Sequence, residues 1–465
     1  MKKYLLFVFL VLGGIIARSQ NSGKPNVLII FVDDLGYGDL SCYGNTQVQT
    51  THIDALAKQG TRFTQFYANS PVCSPSRVAM LTGQYPARHG FSTYLAGRAK
   101  NRENQMPDYL PATVFTLAKT LQAAGYATGH FGKWHLGGGR DVGDAPLPTE
   151  YGFDKSFTSF EGLGDRTLTF ADNLNKQSAE LGRGNIVKAA QHEQTAMYVD
   201  SIMSFIDSRK GEPFFINFFP NDVHDPYNPA EGTEKAFAAV SDDPHQQKFL
   251  ATLKNLDNEI GRLLAFMKKE DLLKNTIILF TSDNGPTDWP YYYKNGGTPP
   301  CSQGNLRGRK WSLYEGGIRV PFIAVWPGHI PAGKTNDKAV MSVVDFVPTL
   351  SSLTGVNMPA AYQADGIDES AVWLGKKDNQ PHDLFWYYNN QPKPGKAEYI
   401  APLLAMRSGS WKFLMDPDGA NRQLFNLQYD PLETSNLVTK EPARTKIMAA
   451  QLQQWYNEVV IKNSR

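Results

Sequence analysis

The sequence predicts an α/β protein: a large, mostly parallel mixed sheet sandwiched by helices, followed by a smaller C-terminal α+β unit with a short antiparallel sheet and a terminal helix. Three observations predict it. Short apolar runs rich in β-branched and aromatic residues recur along the chain, each stopping at polar residues and a turn. Helical patterns separate these runs, which is the signature of a parallel sheet covered on both faces. After "MSVVDFVPTLSSLTG" the format changes to short strands joined by tight loops.

Taken in order, "NVLIIFV" (Asn26 to Val32) ends in Asp33-Asp34-Leu35-Gly36. "GYATGHFGKWHLG" (Gly125 to Gly137) carries Lys133 and His135, and "PFFINFF" (Pro213 to Phe219) leads into "PNDVHDP", which holds His224. "TIILFTS" (Thr276 to Ser282) ends in Asp283-Asn284-Gly285, and "RVPFIAVWPG" (Arg319 to Gly328) completes the set. Runs with so little alternation read as strands buried on both faces. Helical spacing marks "THIDALAKQG", "TVFTLAKTLQAAG", "TAMYVDSIMSFIDS" and "FLATLKNLDNEIGRLLAFMKKEDLL". Beyond about residue 357, "DLFWYYN", "AMRSGSWKFLMD" and "RQLFNLQYDP" read as antiparallel strands, and a closing helix is expected from about Glu441 to Val460. The expected organisation is a signal peptide over 1–19, the main α/β domain over 20–356 and an antiparallel-sheet subdomain over 357–465.

The N-terminal "MKKYLLFVFLVLGGIIARSQ" joins two lysines to an apolar run from Tyr4 to Ala17 and then to small residues, the layout of a secretory signal peptide with Ala17 and Ser19 at its cleavage site. The run is shorter than the roughly 20 apolar residues of a membrane span, and no cysteine follows it to take a lipid anchor. Export to the periplasm or beyond is expected, without stable membrane insertion. The chain has 47 basic and 45 acidic residues, a formal net charge of +2, with 41% hydrophobic and 12% aromatic content. A large core is therefore available, and the near balance of charge argues against nucleic acid or an anionic membrane surface as a partner. Any affinity for an anion must come from a local cluster. Three cysteines, Cys42, Cys73 and Cys301, are too few and odd in number for a disulfide framework.

In sheets of this kind ligands sit beyond the carboxyl ends of the strands, where the polar residues just named fall. Asp33, Asp34, Asp283 and Asn284 are oxygen donors at two such ends. Carboxylates brought together there repel unless a cation lies between them, and an all-oxygen set suits Ca²⁺ or Mg²⁺ better than zinc. Each aspartate alone reads equally as the cap of a turn; two matched pairs favour the metal. Lys133, His135, His224 and Lys310, the last in "NLRGRKWSLYEGG", add positive charge and proton carriers at the same ends, which makes an anion site.

One further stretch, "SPVCSPSRVAMLTGQYP" (residues 70 to 86), places Cys73-Ser74-Pro75-Ser76-Arg77 before a helix-like run. It resembles the C-x-P-S-R signature of the type I sulfatases, within the alkaline phosphatase superfamily. The resemblance continues through "LTGQYPARHG", "NVLIIFVDDLGYGDLSCYGN", "GYATGHFGKWHLG", "FTSDNG" and "LRGRKWSLYEGGIRVPFIAVWPG", over most of residues 25 to 350. It implies an alkaline-phosphatase-like fold for the catalytic domain and the hydrolysis of sulfate monoesters. Cys73 would be oxidised to formylglycine (3-oxoalanine), held as its hydrate, with Arg77 polarising it. Asp33, Asp34, Asp283 and Asn284 would hold one Ca²⁺ together with the oxygen at residue 73. Lys133, His135, His224 and Lys310 match positions that bind sulfate or move protons, although His224 stands in "HDP" where the family usually shows His-x-Pro. One hydroxyl of the geminal diol would attack sulfur, and loss of the other's proton would expel sulfate and restore the aldehyde. His224, or Lys310 as its partner, would protonate the leaving alcohol, and His135 would help deprotonate the hemiacetal. Pro75 suits the first turn of the helix, whose N-terminus would aim its amides at the sulfate.

The implied partners are a sulfated saccharide and a formylglycine-generating maturation enzyme that acts before or during export. The expected activity is an exo-acting carbohydrate sulfatase of polysaccharide degradation, on a galactose-type sugar. Trp289 and Tyr291 to Tyr293, in "PTDWPYYYKNGGTPPCSQGN", are candidates to stack on sugar rings or else to pack on the C-terminal subdomain. Arg98, Asp165 and Arg166 are candidate sugar contacts by loop position. Two alternatives stand beside this reading. One is a phosphate or phosphonate ester hydrolase of the same superfamily; the other is a non-catalytic glycan-binding protein in which Cys73 stays a thiol.

Overall fold

β1 (Asn26–Val32) shows why the central strands are apolar throughout. Its Val27, Ile29 and Phe31 enter one hydrophobic core, while Leu28, Ile30 and Val32 enter a second on the opposite face. A period-two strand covered on both faces requires an unbroken apolar run. Helices Cys73–Thr82, Leu117–Ala123 and Phe346–Thr354 close the first core. Helices Thr51–Gln59, Gln191–Ser208 and Pro244–Lys269 close the second. The computed structural model describes residues 23–169, 181–293, 297–389 and 396–462; the expected signal peptide lies outside them. Among the described residues no helix is long and apolar enough to cross a membrane.

The other strands of the main sheet are β2 (Thr61–Tyr67), β3 (Ala127–Lys133), β4 (Lys155–Ser159), β5 (Arg166–Thr169), β6 (Ile186–Ala189), β7 (Phe214–Phe219), β8 (Thr276–Ser282), β9 (Arg319–Val325), β10 (Lys334–Asn336) and β11 (Met341–Ser342). They form an 11-stranded sheet ordered β10-β2-β9-β8-β1-β7-β3-β4-β5-β6, with β11 also on β2. Every pairing is parallel except those of β9 with β2 and with β8. This is the mostly parallel mixed sheet read from the sequence. The pattern did not announce β2, whose polar and apolar residues lose step where its register on β9 shifts between Phe63 and Phe66. Register places the site. β1 pairs with β8 from Asn26↔Thr276 to Val32↔Ser282, so Asp33 and Asp283 leave the sheet at one level. β3 pairs with β7 as far as Gly132↔Phe219, which brings Lys133 and the loop after β7 to the same edge.

The small sheet contains β12 (Leu384–Tyr387), β13 (Leu404–Ser408), β14 (Trp411–Met415) and β15 (Gln423–Asn426), antiparallel in that order. Leu404, Met406, Phe413 and Leu424 pack on Met448, Leu452 and Trp455 of the closing helix Pro442–Trp455. The opposite face packs Trp386, Ala405, Leu414 and Phe425 on Tyr67, Val72, Leu313 and Tyr314. The small sheet thus braces the segment that leads into Cys73 and the loop that carries Lys310. All three cysteines are free.

A buried ion network crosses this contact. Lys412 Nζ lies 3.0 Å from Glu315 Oε1 and 2.9 Å from Glu433 Oε1, and Tyr67 donates to Glu315 at 2.7 Å. Burial pushes Glu433 up to about 7 in spite of Lys412, and the charge of Glu315 adds to the rise. Lys412→Met would leave two buried carboxylates facing one another, and breaking a buried pair in this way costs about 3–5 kcal/mol. A loss of that size is expected in the urea unfolding free energy at pH 8, where Glu433 is ionised; a loss below about 1 kcal/mol would show that the network does not hold the two sheets together.

Candidate active site

Asp33 and Asp34 follow β1, Asp283 and Asn284 follow β8, and the parallel register sets the four side by side. Asp34 adopts φ +58°, and its N–H donates to Asp283 Oδ1 at 3.0 Å. Asn284 Nδ2 donates to Asp34 Oδ1 at 2.7 Å and to Gly285 O at 2.8 Å. Its Oδ1 is buried and has no hydrogen-bond partner among the described residues. Gly285 cannot be replaced cheaply, because a Cβ there would meet Gly316 O at 2.0 Å. That close approach lets the loop bearing Lys310 reach the metal-type oxygens, with Gly285 N–H donating to Gly317 O at 2.9 Å.

Helix Cys73–Thr82 starts at Cys73 after an extended Val72, and all ten of its residues are buried. Pro75 sits in the first turn, where its missing N–H leaves no helical bond unmade. Arg77 lies one turn on, over the same face. It donates to Asp283 at 2.7 Å, to Asp33 at 3.3 Å and to the Lys133 carbonyl at 2.8 Å. Lys133 Nζ lies 2.9 and 2.7 Å from the two Asp33 oxygens and 3.3 Å from Cys73 Sγ. Lys310 Nζ lies 2.6 Å from both Asp34 oxygens and 3.5 Å from His224 Nε2, which is itself 3.7 Å from Asp34 Oδ2. Cys73 Sγ is 4.0 Å from Asp34 Oδ1. The cluster is closed in by its own ammonium groups, and its most exposed member is His224, at 30% of its side chain. Clefts of about 800 and 750 Å³ lie elsewhere, on the small sheet and beside Tyr37.

Three carboxylates therefore face three buried cations. Burial pushes the Cys73 thiol up to about 12 even with Lys133 and Lys310 beside it, so the unmodified thiol is a poor nucleophile. Burial would raise Asp33, but Lys133, His224 and Arg77 together hold it well below the usual carboxylate range. Asp283 rises to about 7, because burial and the charge of Asp33 outweigh Arg77. Asp34 keeps Lys310 protonated well above the ordinary lysine value against the cost of burial. Burial brings His224 down to about 4, with Asp34 opposing and Lys310 assisting. His135 falls well below the usual value through burial and the charges of Lys133 and Arg77. At neutral pH both imidazoles are bases and Lys310 is an acid.

His135 stands at the edge of the cluster, with φ +52°. Its Nε2 faces Leu95 O at 3.3 Å and Glu161 Oε2 at 3.8 Å, while Nδ1 has no hydrogen-bond partner among the described residues. Phe160 meets the His135 ring edge-on at 4.7 Å, and Lys133 Nζ lies 4.8 Å from the same phenyl centroid. Asp34, His135, Phe160, Glu161 and Trp311 supply five of the eleven non-glycine residues with positive φ among the described residues. Such backbone costs about 1–3 kcal/mol per residue and persists only where the surroundings impose it. Glu161, Phe160 and Trp311 escaped the sequence reading. "SFEGLG" carries no signal, whereas Trp311 was within reach as the neighbour of Lys310.

The candidate sugar contacts divide. Trp289 is half-buried, with its ring 4.8 Å from Tyr291 and 5.7 Å from Trp311; Trp311 in turn lies 5.8 Å from Lys310 Nζ. This aromatic group leads from the surface to the cluster. Arg166 is buried in β5, and its guanidinium donates to the carbonyls of Gly164, Arg183 and Gly182, at 2.8 to 3.0 Å. Asp165 accepts from Lys155 at 3.2 Å and from Asn185 at 3.1 Å. Arg98 pairs with Asp108 at 2.7 Å and with Asp144. Neither shares a hydrogen bond or ion pair with the cluster.

Oxygen donors, a cysteine at a helix start and clustered cations on this sheet define a hydrolase of anionic esters. The chain belongs to the sulfatase family, the hydrolases of sulfuric esters: residues 25–356 match the family model Sulfatase, and residues 308–461 match the one described as N-sulphoglucosamine sulphohydrolase, C-terminal. It is similar to an N-acetylgalactosamine-6-O-sulfatase of Bacteroides thetaiotaomicron, 32% identical over 91% of this chain and 92% of the relative. It is also similar to arylsulfatase A of Bos taurus, 34% identical over 84% and 75% of the respective chains. Among solved structures, that of Ps i-CgsB in complex with k-i-k-neocarrahexaose matches with a TM-score of 0.77 at 26% identity, covering 93% and 92%.

The depressed His224 has a signed consequence. The folded imidazole stays neutral as pH falls through the unfolded value near 6.5, so its burial destabilises the fold progressively from there toward pH 4. NMR titration of histidine-labelled protein should show His224 neutral at pH 6 and protonating near 4; a midpoint above 6 would remove it as a neutral base.

Proposed function

We propose that this sulfatase acts on sulfated carbohydrate by S–O cleavage, with formylglycine formed from Cys73 as its nucleophile and one Ca²⁺ as its metal. The observation that carries the reading is the convergence of Cys73, at the start of a buried helix, with four metal-type oxygens and three buried cations. Asp33, Asp34, Asp283 and Asn284 would hold the ion, and the partnerless Asn284 Oδ1 beside three crowded carboxylates fits a hard divalent cation. Bound there, Ca²⁺ supplies positive charge to the sulfuryl oxygens. With the carboxylates so engaged, Lys133 and Lys310 are free to pair with the sulfate group.

The hydrate of formylglycine supplies an oxygen nucleophile whose second hydroxyl provides the exit by which sulfate leaves. Arg77, pinned by Asp283 and the Lys133 carbonyl, keeps its charge one turn from residue 73. The amino end of the ten-residue helix adds its dipole to this positive field. His135, neutral and with Nδ1 unpartnered, takes up a proton. Lys310 delivers one to the leaving alcohol, with His224 beside it as the proton relay.

The names of the relatives, one of them an N-acetylgalactosamine-6-O-sulfatase, support a sulfated and galactose-type sugar. The Trp289, Tyr291 and Trp311 rings offer it a stacking surface. A recessed cluster whose most exposed member is His224 favours exo action on a chain end. A maturation enzyme would convert Cys73 before or during export, and the mature protein would work in the periplasm or outside the cell.

Sulfate release from a panel of defined sulfated saccharides, with Ca²⁺ present and Cys73 conversion verified by peptide mass, is expected on galactose-configured sugars. Turnover of arylsulfates with no saccharide hydrolysed would overturn the carbohydrate assignment, and faster turnover of phosphate or phosphonate esters would transfer the activity to them. Cys73→Ala should lower kcat by roughly 10⁴-fold or more with the fold intact; retained turnover would refute the nucleophile. Wild-type protein that carries a plain Cys73 thiol and binds sulfated glycan without turnover would be the glycan-binding homologue.

Lys310→Ala should lower kcat/KM on saccharide sulfates by about 10²–10⁴-fold. The loss should shrink on arylsulfates, whose phenolate leaves without a proton. An equal loss on both substrates would remove Lys310 as the acid.

A further inference from the structure

Three titratable groups outside the site gather at a second place. Asp345 precedes helix Phe346–Thr354, Glu369 precedes the short helix Ser370–Trp373, and His382 lies two residues before β12. One ligand-type atom from each falls within 4.8 Å of the others. His382 Nε2 is 3.2 Å from Asp345 Oδ1, and Nδ1 is 3.7 Å from Glu369 Oε1. We infer that Asp345, Glu369 and His382 form a second metal site, distinct from the catalytic oxygens and suited to a divalent transition ion of the zinc type.

Glu369 carries the argument. Its side chain is 0% exposed, yet neither carboxylate oxygen has a hydrogen-bond partner among the described residues. A buried carboxyl without partners costs roughly 1–3 kcal/mol as an unsatisfied polar group, and burial with the charge of Asp345 beside it pushes Glu369 up to about 8, so without an ion it keeps a proton that a cation would displace. His382 Nε2 is likewise buried without a hydrogen bond, although it faces Asp345. Its other nitrogen, Nδ1, lies 3.4 Å from the Gln380 carbonyl. A metal-binding histidine is held in this way, with one N–H on a backbone oxygen and the opposite lone pair toward the ion. Asp345 is already oriented, accepting from Ser342 N at 2.7 Å and from Ile367 N at 2.9 Å, and each oxygen keeps a second lone pair. Two carboxylates and a neutral imidazole balance a divalent ion, and the mixed N,O set selects zinc-type ions over Ca²⁺. A bound ion would tie the segment before one helix, the start of a second and the lead into the small sheet.

The rival occupant is a proton. Against the cost of burial, Asp345 and Glu369 hold His382 up to about 9, and an imidazolium would close the cluster with a single charge.

The test titrates full-length protein, kept in excess Ca²⁺ so that the catalytic oxygens are engaged, with Co²⁺ alone. One equivalent should develop the strong ligand-field absorption of a four-coordinate site, Zn²⁺ should abolish it, and Zn²⁺ should raise the thermal unfolding midpoint. Glu369→Gln and His382→Gln should each weaken Co²⁺ binding by at least about tenfold and remove the Zn²⁺-induced shift, with sulfate release unchanged. Wild-type protein with neither absorption nor shift, or variants that bind Co²⁺ as tightly as wild type, would overturn the site and leave the proton as the occupant. The wild-type titration decides the matter even where a variant folds poorly, and neither the absorption nor the thermal shift depends on turnover.

Discussion

Three carboxylates, Asp33, Asp34 and Asp283, are buried together at the carboxyl ends of two adjacent strands, and their mutual repulsion is the constraint on which the rest of the structure depends. Carboxylates out of water demand positive charge at close range. The fold supplies it from three separate elements: Arg77 from the helix that starts at Cys73, Lys133 from the end of β3, and Lys310 from a loop after β8. Each source has its own support. The helix is buried along its whole length, β3 is held between β7 and β4, and the Lys310 loop comes close because Gly285 has no Cβ to block it. The small sheet braces the helix entry and the loop from outside, across a contact with its own buried ions.

The same charges set the protonation of the groups proposed to move protons. Burial among cations leaves His135 and His224 neutral, and an adjacent carboxylate leaves Lys310 charged. The proposed base and acid are thus separated by position, one imidazole at the inner edge and a lysine–imidazole pair at the mouth. The second cluster obeys a different logic. There a histidine joins two carboxylates, and the proposed ligand set is a mixed N,O one.

Much of this was legible beforehand. Unbroken apolar runs followed by Asp-Asp and Asp-Asn marked β1 and β8, because a strand covered on both faces cannot alternate and must release its polar residues at its end. Lys133, His135 and His224 were singled out by the same strand-end rule, and Lys310 by its loop. Loop position was a weaker guide. Arg166 is a candidate by loop position alone, yet it opens β5 and its guanidinium donates to three backbone carbonyls. β2 was missed because its register shift breaks the alternation by which a strand is recognised. Phe160 and Glu161 carry no local signal, since their positive φ is imposed by packing on His135 and Lys133.

The sequence by itself determined the α/β class, the oxygen donors and the cysteine of the site, and the family, because period, strand-end chemistry and short signatures are local and survive without coordinates. Only the tertiary structure decided which charge pairs with which, which histidine is shielded and which candidate arginine is already satisfied by its own backbone. Those outcomes depend on register, close approach and loss of water between residues up to 276 positions apart, and no window of sequence contains them.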